Sequence, residues 1–200
     1  NITGTLNVLE AARHHGCARV VQTSTSEVYG SALYEPIDEA HPLQGQSPYS
    51  ASKIGADMMA TAFARSFEMP VVILRPFNTY GPRQSERAVI PTVIRQALDE
   101  QCPEIRLGDI TTRRDFCFVA ATAAAFAAVG QAKGLNFGEP YNAGTGVAVT
   151  IGEMVEEVRH LTNCDKPVVQ EQTRQRPEAS EVRALLADAS LLNGATAWQA

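Results

Sequence analysis

Residues 71–78 read VVILRPFN, a continuous apolar run introduced by Met69 and Pro70. A run of that kind suits a parallel strand covered on both faces, because a strand with one wet face alternates apolar and polar residues instead. A sheet built from such strands needs helices on either side, and the sequence supplies them. Residues 1–15 (NITGTLNVLEAARHH) put Leu6, Leu9, Ala12 and Arg13 at helical spacing and end at Gly16, a good helix stop. Residues 19–22 (RVVQ) form a short β-branched strand that passes into the polar loop TSTSEVYG. Ser47 can cap the following helix and Pro48 fits its first turn, which predicts a helix to about Phe67.

The second half is more mixed. Helices are predicted over 88–100, despite Pro91 near the start, over 120–133, and from a Thr150 cap through Leu161. Short strands are predicted at 104–107, 115–119 and 141–143, the last leading into the turn Gly144-Thr145-Gly146. Alternating strands and helices argue for an α/β fold with a doubly wound parallel sheet. A dinucleotide-binding unit of that kind opens with a strand, a G-x-G-x-x-G turn and a helix within about 30 residues. This chain opens in mid-helix, and Gly144-x-Gly146 lacks the third glycine and lies at the wrong end. The expectation is an N-terminally truncated chain that neither binds a dinucleotide tightly nor turns over by itself.

The net charge of −5 argues against a general nucleic-acid surface, though converging arginines could still hold phosphates. Cys17, Cys102, Cys117 and Cys164 form no C-x-x-C pair and match no zinc spacing. They are expected as free buried thiols in a reducing cytoplasm, and no metal site is expected. The most apolar stretch, residues 118–129, is too short to cross a bilayer and reads as a buried helix, so no membrane partner is expected.

The strongest chemical signal is Tyr49-Ser50-Ala51-Ser52-Lys53. Positions i and i+4 share a helix face, so Lys53 lies one turn beyond Tyr49. A tyrosine ionises only near pH 10, about 10 being its ordinary pKa. A neighbouring ammonium favours the phenolate, which makes Tyr49 a candidate general base for a hydroxyl. Upstream, Ser24-Thr25-Ser26-Glu27 lies at the end of a predicted strand, where ligands of open α/β sheets gather.

Thr25, Tyr49 and Lys53, in this strand–loop–helix order, resemble the catalytic triad of extended short-chain dehydrogenases. RPFNTYGPR (75–83), Arg113-Arg114-Asp115-Phe116 and Arg176-Pro177 resemble later motifs of the sugar-nucleotide epimerase and dehydratase branch. The resemblance spans essentially the whole chain. It implies the later part of a Rossmann sheet over residues 1–80 and 117–143, and a smaller mixed α/β substrate lobe over 81–116 and 144–200. It implies NAD as cofactor, with Thr23, Ser24, Tyr49, Lys53, Pro76 and Phe77 around it. The substrate implied is a nucleotide-diphosphate sugar, met by Asn78, Arg114 and Arg176 at the pyrophosphate and by Val89, Ile90 and Pro91 at the base. Arg83 and Arg87 stay open between phosphate contacts and solvated loop charges.

In 4,6-dehydratases of the branch an acid/base pair follows the catalytic threonine as Asp-Glu or Ser-Glu, and here Ser26-Glu27 stands there. The resemblance makes Glu27 the base for C5, with Ser26 relaying a proton at most. The pattern is similar to GDP-mannose 4,6-dehydratases, but also to UDP-glucuronate decarboxylases, and the chain as a whole also resembles dTDP-glucose 4,6-dehydratases. Residues 34–60 and 75–98 look most like the UDP-N-acetylglucosamine-type 4,6-dehydratases of the legionaminic-acid pathway. A 4-epimerase, a UDP-sugar decarboxylase and a non-catalytic nucleotide-sugar-binding relic stay open as alternatives. Members of the family pair as homodimers through two helices, here including residues 50–67. There are two departures. Ala120-Ala121 replaces an acidic residue that caps the next helix in relatives, which predicts a cost in stability, and Ala197 replaces a glycine before Trp198.

Overall fold

The computed structural model describes residues 1–171 and 182–200. Its centre is a parallel sheet of β1 (Val20–Thr23), β2 (Val71–Pro76) and β6 (Pro140–Ala143), in the order β1-β2-β6. Side chains of β2 alternate between two cores. Val71 and Ile73 face α1 (Ile2–His14) and α2 (Pro48–Phe67), meeting Leu9, Ala12, Ala60, Phe63 and Ala64. Val72 and Leu74 face α4 (Val119–Gln131) and α6 (Ser190–Ala195), meeting Ala125, Val129 and Leu192. From Val71 to Leu74 the strand so covered is apolar at every position, which is the start of the run seen in the sequence. Burying each of those four side chains contributes roughly 1.5–3 kcal/mol. The fold is α/β and doubly wound, as expected.

The run nevertheless does not continue to Asn78 as one strand. Pro76 has no N–H to extend the ladder beyond its partner Ala143. Phe77 donates its amide to Ala143 O at 2.8 Å and buries its ring, and the chain then enters β3 (Asn78–Tyr80) in a second sheet. There β5 (Arg113–Phe118) pairs in parallel with β3 through 116–118 and antiparallel with β7 (Ala148–Thr150) through 113–115. The two-residue β9 (Ala184–Leu185) lies parallel to β5. A parallel pair, β4 (Ile105–Leu107) and β8 (Val168–Gln170), completes the strands among the described residues. The helices α3 (Val89–Leu98) and α5 (Ile151–Thr162) close a further core around Val93, Ile105, Leu107, Val155 and Val158.

Several local expectations are refined. Leu6 is 38% exposed, so the buried stripe of α1 narrows to Leu9 and Ala12. Cys117 and Cys164 are buried, but Cys17 is exposed and Cys102 only half-buried, because both lie in connections after a helix. The stretch 118–129 is buried on one face only: Thr122, Ala125 and Val129 point inward while Phe118 and Val119 stay exposed. No helix among the described residues is long and apolar enough to cross a membrane. Trp198 is buried against α4 and donates its indole N–H to Ala121 O at 2.8 Å, so residues 189–198 return to the core beneath β2 and β6.

The neutral start of α4 has a measurable consequence. Its N-cap is Phe118, whose side chain makes no capping bond, and its first turn holds no acid. Ala120 is exposed in that turn. Ala120→Glu places a carboxylate at the positive end of the helix dipole and is expected to stabilise by about 0.3–1 kcal/mol. For a domain of this size that is a rise in Tm of about 1–4 °C. Thermal melts at low salt would register it, and high salt should erase most of it.

Candidate active site at the carboxyl end of the sheet

Thr25 lies two residues beyond the last residue of β1. Its backbone is extended (φ −163°, ψ 151°), and its hydroxyl accepts from the Glu27 amide at 3.3 Å, capping a single 3-10 turn over Ser26–Tyr29. Gly30 ends that turn at φ 64°, ψ −147°, a region open only to glycine. A Cβ there would come within 2.9 Å of Gln44 O, so backbone approach fixes the residue as well. The turn therefore leaves the strand in one defined direction.

Opposite it, α2 begins with a reciprocal cap between Ser47 and Ser50, with Pro48 in the first turn. This cap sets Tyr49 in the first turn of the helix, with its side chain half exposed toward Thr25 and Glu27. Burial pushes the Tyr49 phenol above its ordinary value; a hydrogen bond with Thr25 lowers it and the Glu27 carboxylate raises it again. Lys53, one turn on, donates to Thr23 O at 2.7 Å. The lowered tyrosine expected from the Lys53 spacing is thus not produced by the chain itself. The ammonium is engaged at the strand end, and the nearest influential charge is negative.

Glu27 also lines a cavity of about 560 Å³, a volume within the ordinary range for small-ligand sites. Asn78, Val89, Ile90 and Arg114 line the same cavity, so four of the residues expected at the sugar nucleotide converge on the proposed C5 base. Pro91 lies in an adjoining apolar cleft between α3 and α5, which shares Ile90 and Phe116 with the cavity. Arg87 lines the cavity, whereas Arg83 sits at φ 68° in the loop before α3.

Arg114 reaches the cavity because of strand alternation. Its neighbour Asp115 points to the other face, is fully buried, and accepts from Thr145 N, Thr145 Oγ1 and Gly146 N at 2.7–2.9 Å. Gly144 is required beside it, since a Cβ there would lie 2.8 Å from Asp115 Oδ2 and 2.4 Å from Ala187 Cβ. Asp115 therefore braces the turn after β6 and leaves the Arg114 guanidinium to the cavity side.

Other expected residues are turned inward. The Ser24 hydroxyl donates to Asp57 Oδ2 at 2.7 Å and its amide to Leu74 O at 2.8 Å. Ser26 is buried, and Phe77 packs with Val28, Tyr29 and Ile37. Thr23 and Pro76 end their strands on the same side of the sheet as Thr25. Arg176 lies outside the described residues. Sequence reasoning missed Thr79, Gln84, Asp109 and Thr112, all in the cavity wall. It also missed the ion pair of Asp57 with Arg75, in which both side chains are at most 3% exposed.

Comparison with known proteins bears on the family and the fold. The family model for GDP-mannose 4,6-dehydratase matches residues 1–200. A dTDP-glucose 4,6-dehydratase of an Actinoplanes species is 38% identical over 168 residues, which are 84% of this chain and 51% of that protein. The crystal structure of dTDP-glucose 4,6-dehydratase from Bacillus anthracis in complex with NAD superposes with a TM-score of 0.86 at 31% identity, covering 99% of this chain and 61% of that one. A Thermus thermophilus UDP-glucose 4-epimerase in complex with NAD gives a TM-score of 0.84 at 27% identity, covering 98% and 63%. The chain spans about half the length of the curated relatives it matches.

Proposed function

The chain belongs to the GDP-mannose 4,6-dehydratase family, and on that premise we propose that the protein carrying it dehydrates a nucleotide-diphosphate hexose to its 4-keto-6-deoxy form. The observation that carries this reading is that Thr25 and Glu27 both act on the Tyr49 phenol while Glu27 also lines the cavity with Asn78 and Arg114. A simple 4-epimerase needs the Thr25–Tyr49 contact and has no use for the Glu27 carboxylate.

NAD fits the same corner. Among the described residues Lys53 donates to Thr23 O alone, leaving two of its three donors for ribose hydroxyls at the carboxyl end of β1. Thr23, Ser24, Pro76 and Phe77 would supply the surrounding backbone, and Tyr49 would stand against the reacting ring. When bound there, NAD would supply the redox chemistry, as acceptor of a hydride from C4 and donor of a hydride to C6. Tyr49 removes the proton of the 4-hydroxyl, with Thr25 bonded to the same oxygen. The 4-keto group acidifies C5; Glu27 takes the C5 proton and passes a proton to the C6 hydroxyl, which departs as water. Ser26 is buried and relays a proton at most. Arg114, and Arg176 by resemblance, hold the diphosphate in planar bidentate fashion with Asn78 beside them. Val89, Ile90 and Pro91 lie toward the base.

The resemblance of residues 34–60 and 75–98 supports UDP- or GDP-linked N-acetylglucosamine as the substrate. It also supports a cytoplasmic homodimer, and the exposed apolar side chains Ile2, Leu6, Met58 and Phe67 on α1 and α2 suit such a pairing. The cofactor part then comprises residues 1–80 and 117–143 and the sugar part 81–116 and 144–200, with Leu192 and Trp198 packing back on the former. The test is mass spectrometry of products from the full-length protein given NAD and a panel of UDP- and GDP-hexoses. Loss of one water from one panel member is expected. A product of unchanged mass and altered stereochemistry would mean an epimerase, and loss of carbon dioxide from a UDP-hexuronate a decarboxylase.

A further inference from the structure

One buried polar chain runs beneath the reacting groups without touching the cavity. Asp57 lies on α2 one turn beyond Lys53 and is fully buried. Its Oδ2 accepts from Ser24 Oγ at 2.7 Å, from Arg75 Nε at 3.2 Å and from Arg75 Nη2 at 3.1 Å. Arg75, on β2, then donates from Nη1 to the Tyr29 hydroxyl at 2.9 Å. Tyr29 in turn donates to Asn142 Oδ1 at 2.7 Å, and Asn142 on β6 donates to Ile37 O and Asp188 O. Burial pushes the Tyr29 phenol to about 12, so it remains a donor at neutral pH.

The placement of the end members is what matters. Ser24 immediately precedes Thr25, and Tyr29 closes the 3-10 turn that carries Ser26 and Glu27. The segment bearing Thr25 and Glu27 is therefore fastened at both ends to one ion pair. The acidic member of that pair stands on the helix that bears Tyr49 and Lys53. We propose that the Asp57–Arg75 pair is a positioning device that holds the loop-borne groups Thr25 and Glu27 in register with the helix-borne groups Tyr49 and Lys53. This rests on the dehydratase reading for the role of Glu27.

A buried ion pair contributes little net stability compared with apolar side chains of equal volume. Its value here is directional: Arg75 offers a planar fork that points one way to Asp57 and the other way to Tyr29. Burial pushes the Asp57 carboxyl upward, and Arg75, Ser24 and Lys53 pull it back. Asp57 Oδ1 has no partner among the described residues, so deleting the Ser24 hydroxyl leaves the carboxylate to Arg75, and deleting the Tyr29 hydroxyl frees one arm of the Arg75 fork. Neither Ser24 nor Tyr29 lines the cavity, so an effect of their removal on chemistry must pass through position.

The experiment uses the full-length protein with NAD and the substrate found by product analysis, deuterated at C4 or at C5. Asp57→Asn strands the Arg75 charge and endangers folding, so the variants are Ser24→Ala and Tyr29→Phe, each of which deletes one hydroxyl. Both are expected to lower kcat about 10- to 100-fold, as small displacements of reacting groups do, with KM within about twofold. Ser24→Ala loosens the Thr25 end and should raise the isotope effect at C4. Tyr29→Phe loosens the Glu27 end and should raise the effect at C5. A merely structural fastening would lower Tm or the active fraction and leave both isotope effects at their parental values, and that outcome overturns the proposal. If the parent proves to be a 4-epimerase, the dehydratase reading fails by itself and C5 drops out. Ser24→Ala then decides alone: a raised C4 effect upholds the positioning role, and an unchanged one overturns it.

Discussion

Tyr49→Phe in the full-length protein should lower kcat about 10²–10⁴-fold, the usual worth of a positioned general base. The substitution removes one oxygen from a half-exposed ring in the first turn of α2, so folding is expected to survive and Tm to change little. The loss should fall on kcat rather than KM, because the phenol meets the 4-hydroxyl only as the proton moves. The pH dependence carries a second sign. Burial, with Glu27 adding to it, holds the tyrosine above its ordinary value, so the phenolate grows only as pH rises. The parent's kcat/KM should therefore climb with pH on the alkaline side, and a cation near the ring would shift that limb to lower pH. Tyr49→Phe should abolish that limb. A Tyr49→Phe variant with parental turnover would remove the base from the mechanism altogether.

Glu27→Gln should cost dehydration a comparable factor of about 10²–10⁴ while preserving shape and most hydrogen bonds. The consequence is qualitative as well as quantitative. Without a C5 base, deuterium from solvent should no longer enter C5 or the product, whereas oxidation at C4 is still served by Tyr49 and Thr25. Removing the carboxylate also relieves the charge that raises the Tyr49 phenol, so C4 chemistry should if anything quicken at neutral pH. Loss of 4-keto-6-deoxy product with retained C4 chemistry is the expected pair of readings. Retained dehydration would return Glu27 to the status of a cavity-wall carboxylate and transfer its task elsewhere.

The parts of this site that could be read from the sequence are those governed by short-range periodicity. Tyr49 and Lys53 share a helix face by spacing alone, and Val71 to Leu74 announce a strand covered on both sides because every residue there is apolar. Arg114 and Asp115 could have been separated by the same kind of reasoning, since adjacent strand residues point to opposite faces. Pro76 was a legible stop that the apolar run concealed. The rest depends on contacts far apart in sequence. Strands β3, β7 and β9 have two or three residues each and carry no period, and their partners on β5 lie 33 or more positions away. Asp57 falls among small and apolar residues of α2 as any solvated helix acid might. Only the approach of β2 turns it toward Arg75, 18 positions on, and toward Ser24, 33 positions back.

Trp198 gives this molecule an optical reporter of its own assembly. It is the single tryptophan in the sequence, and its indole sits 5% exposed against α4. Its hydrogen bond to Ala121 spans 77 positions, so the ring loses water only after the far end of the chain has found the sheet. Emission from that one ring therefore times the closure of a long-range contact, a step that belongs late in folding because the entropy of closing so long a separation must be met first. Circular dichroism, by contrast, registers the helices as a whole. A lag between the two signals during refolding would measure how long the C-terminal stretch waits for its docking face to form.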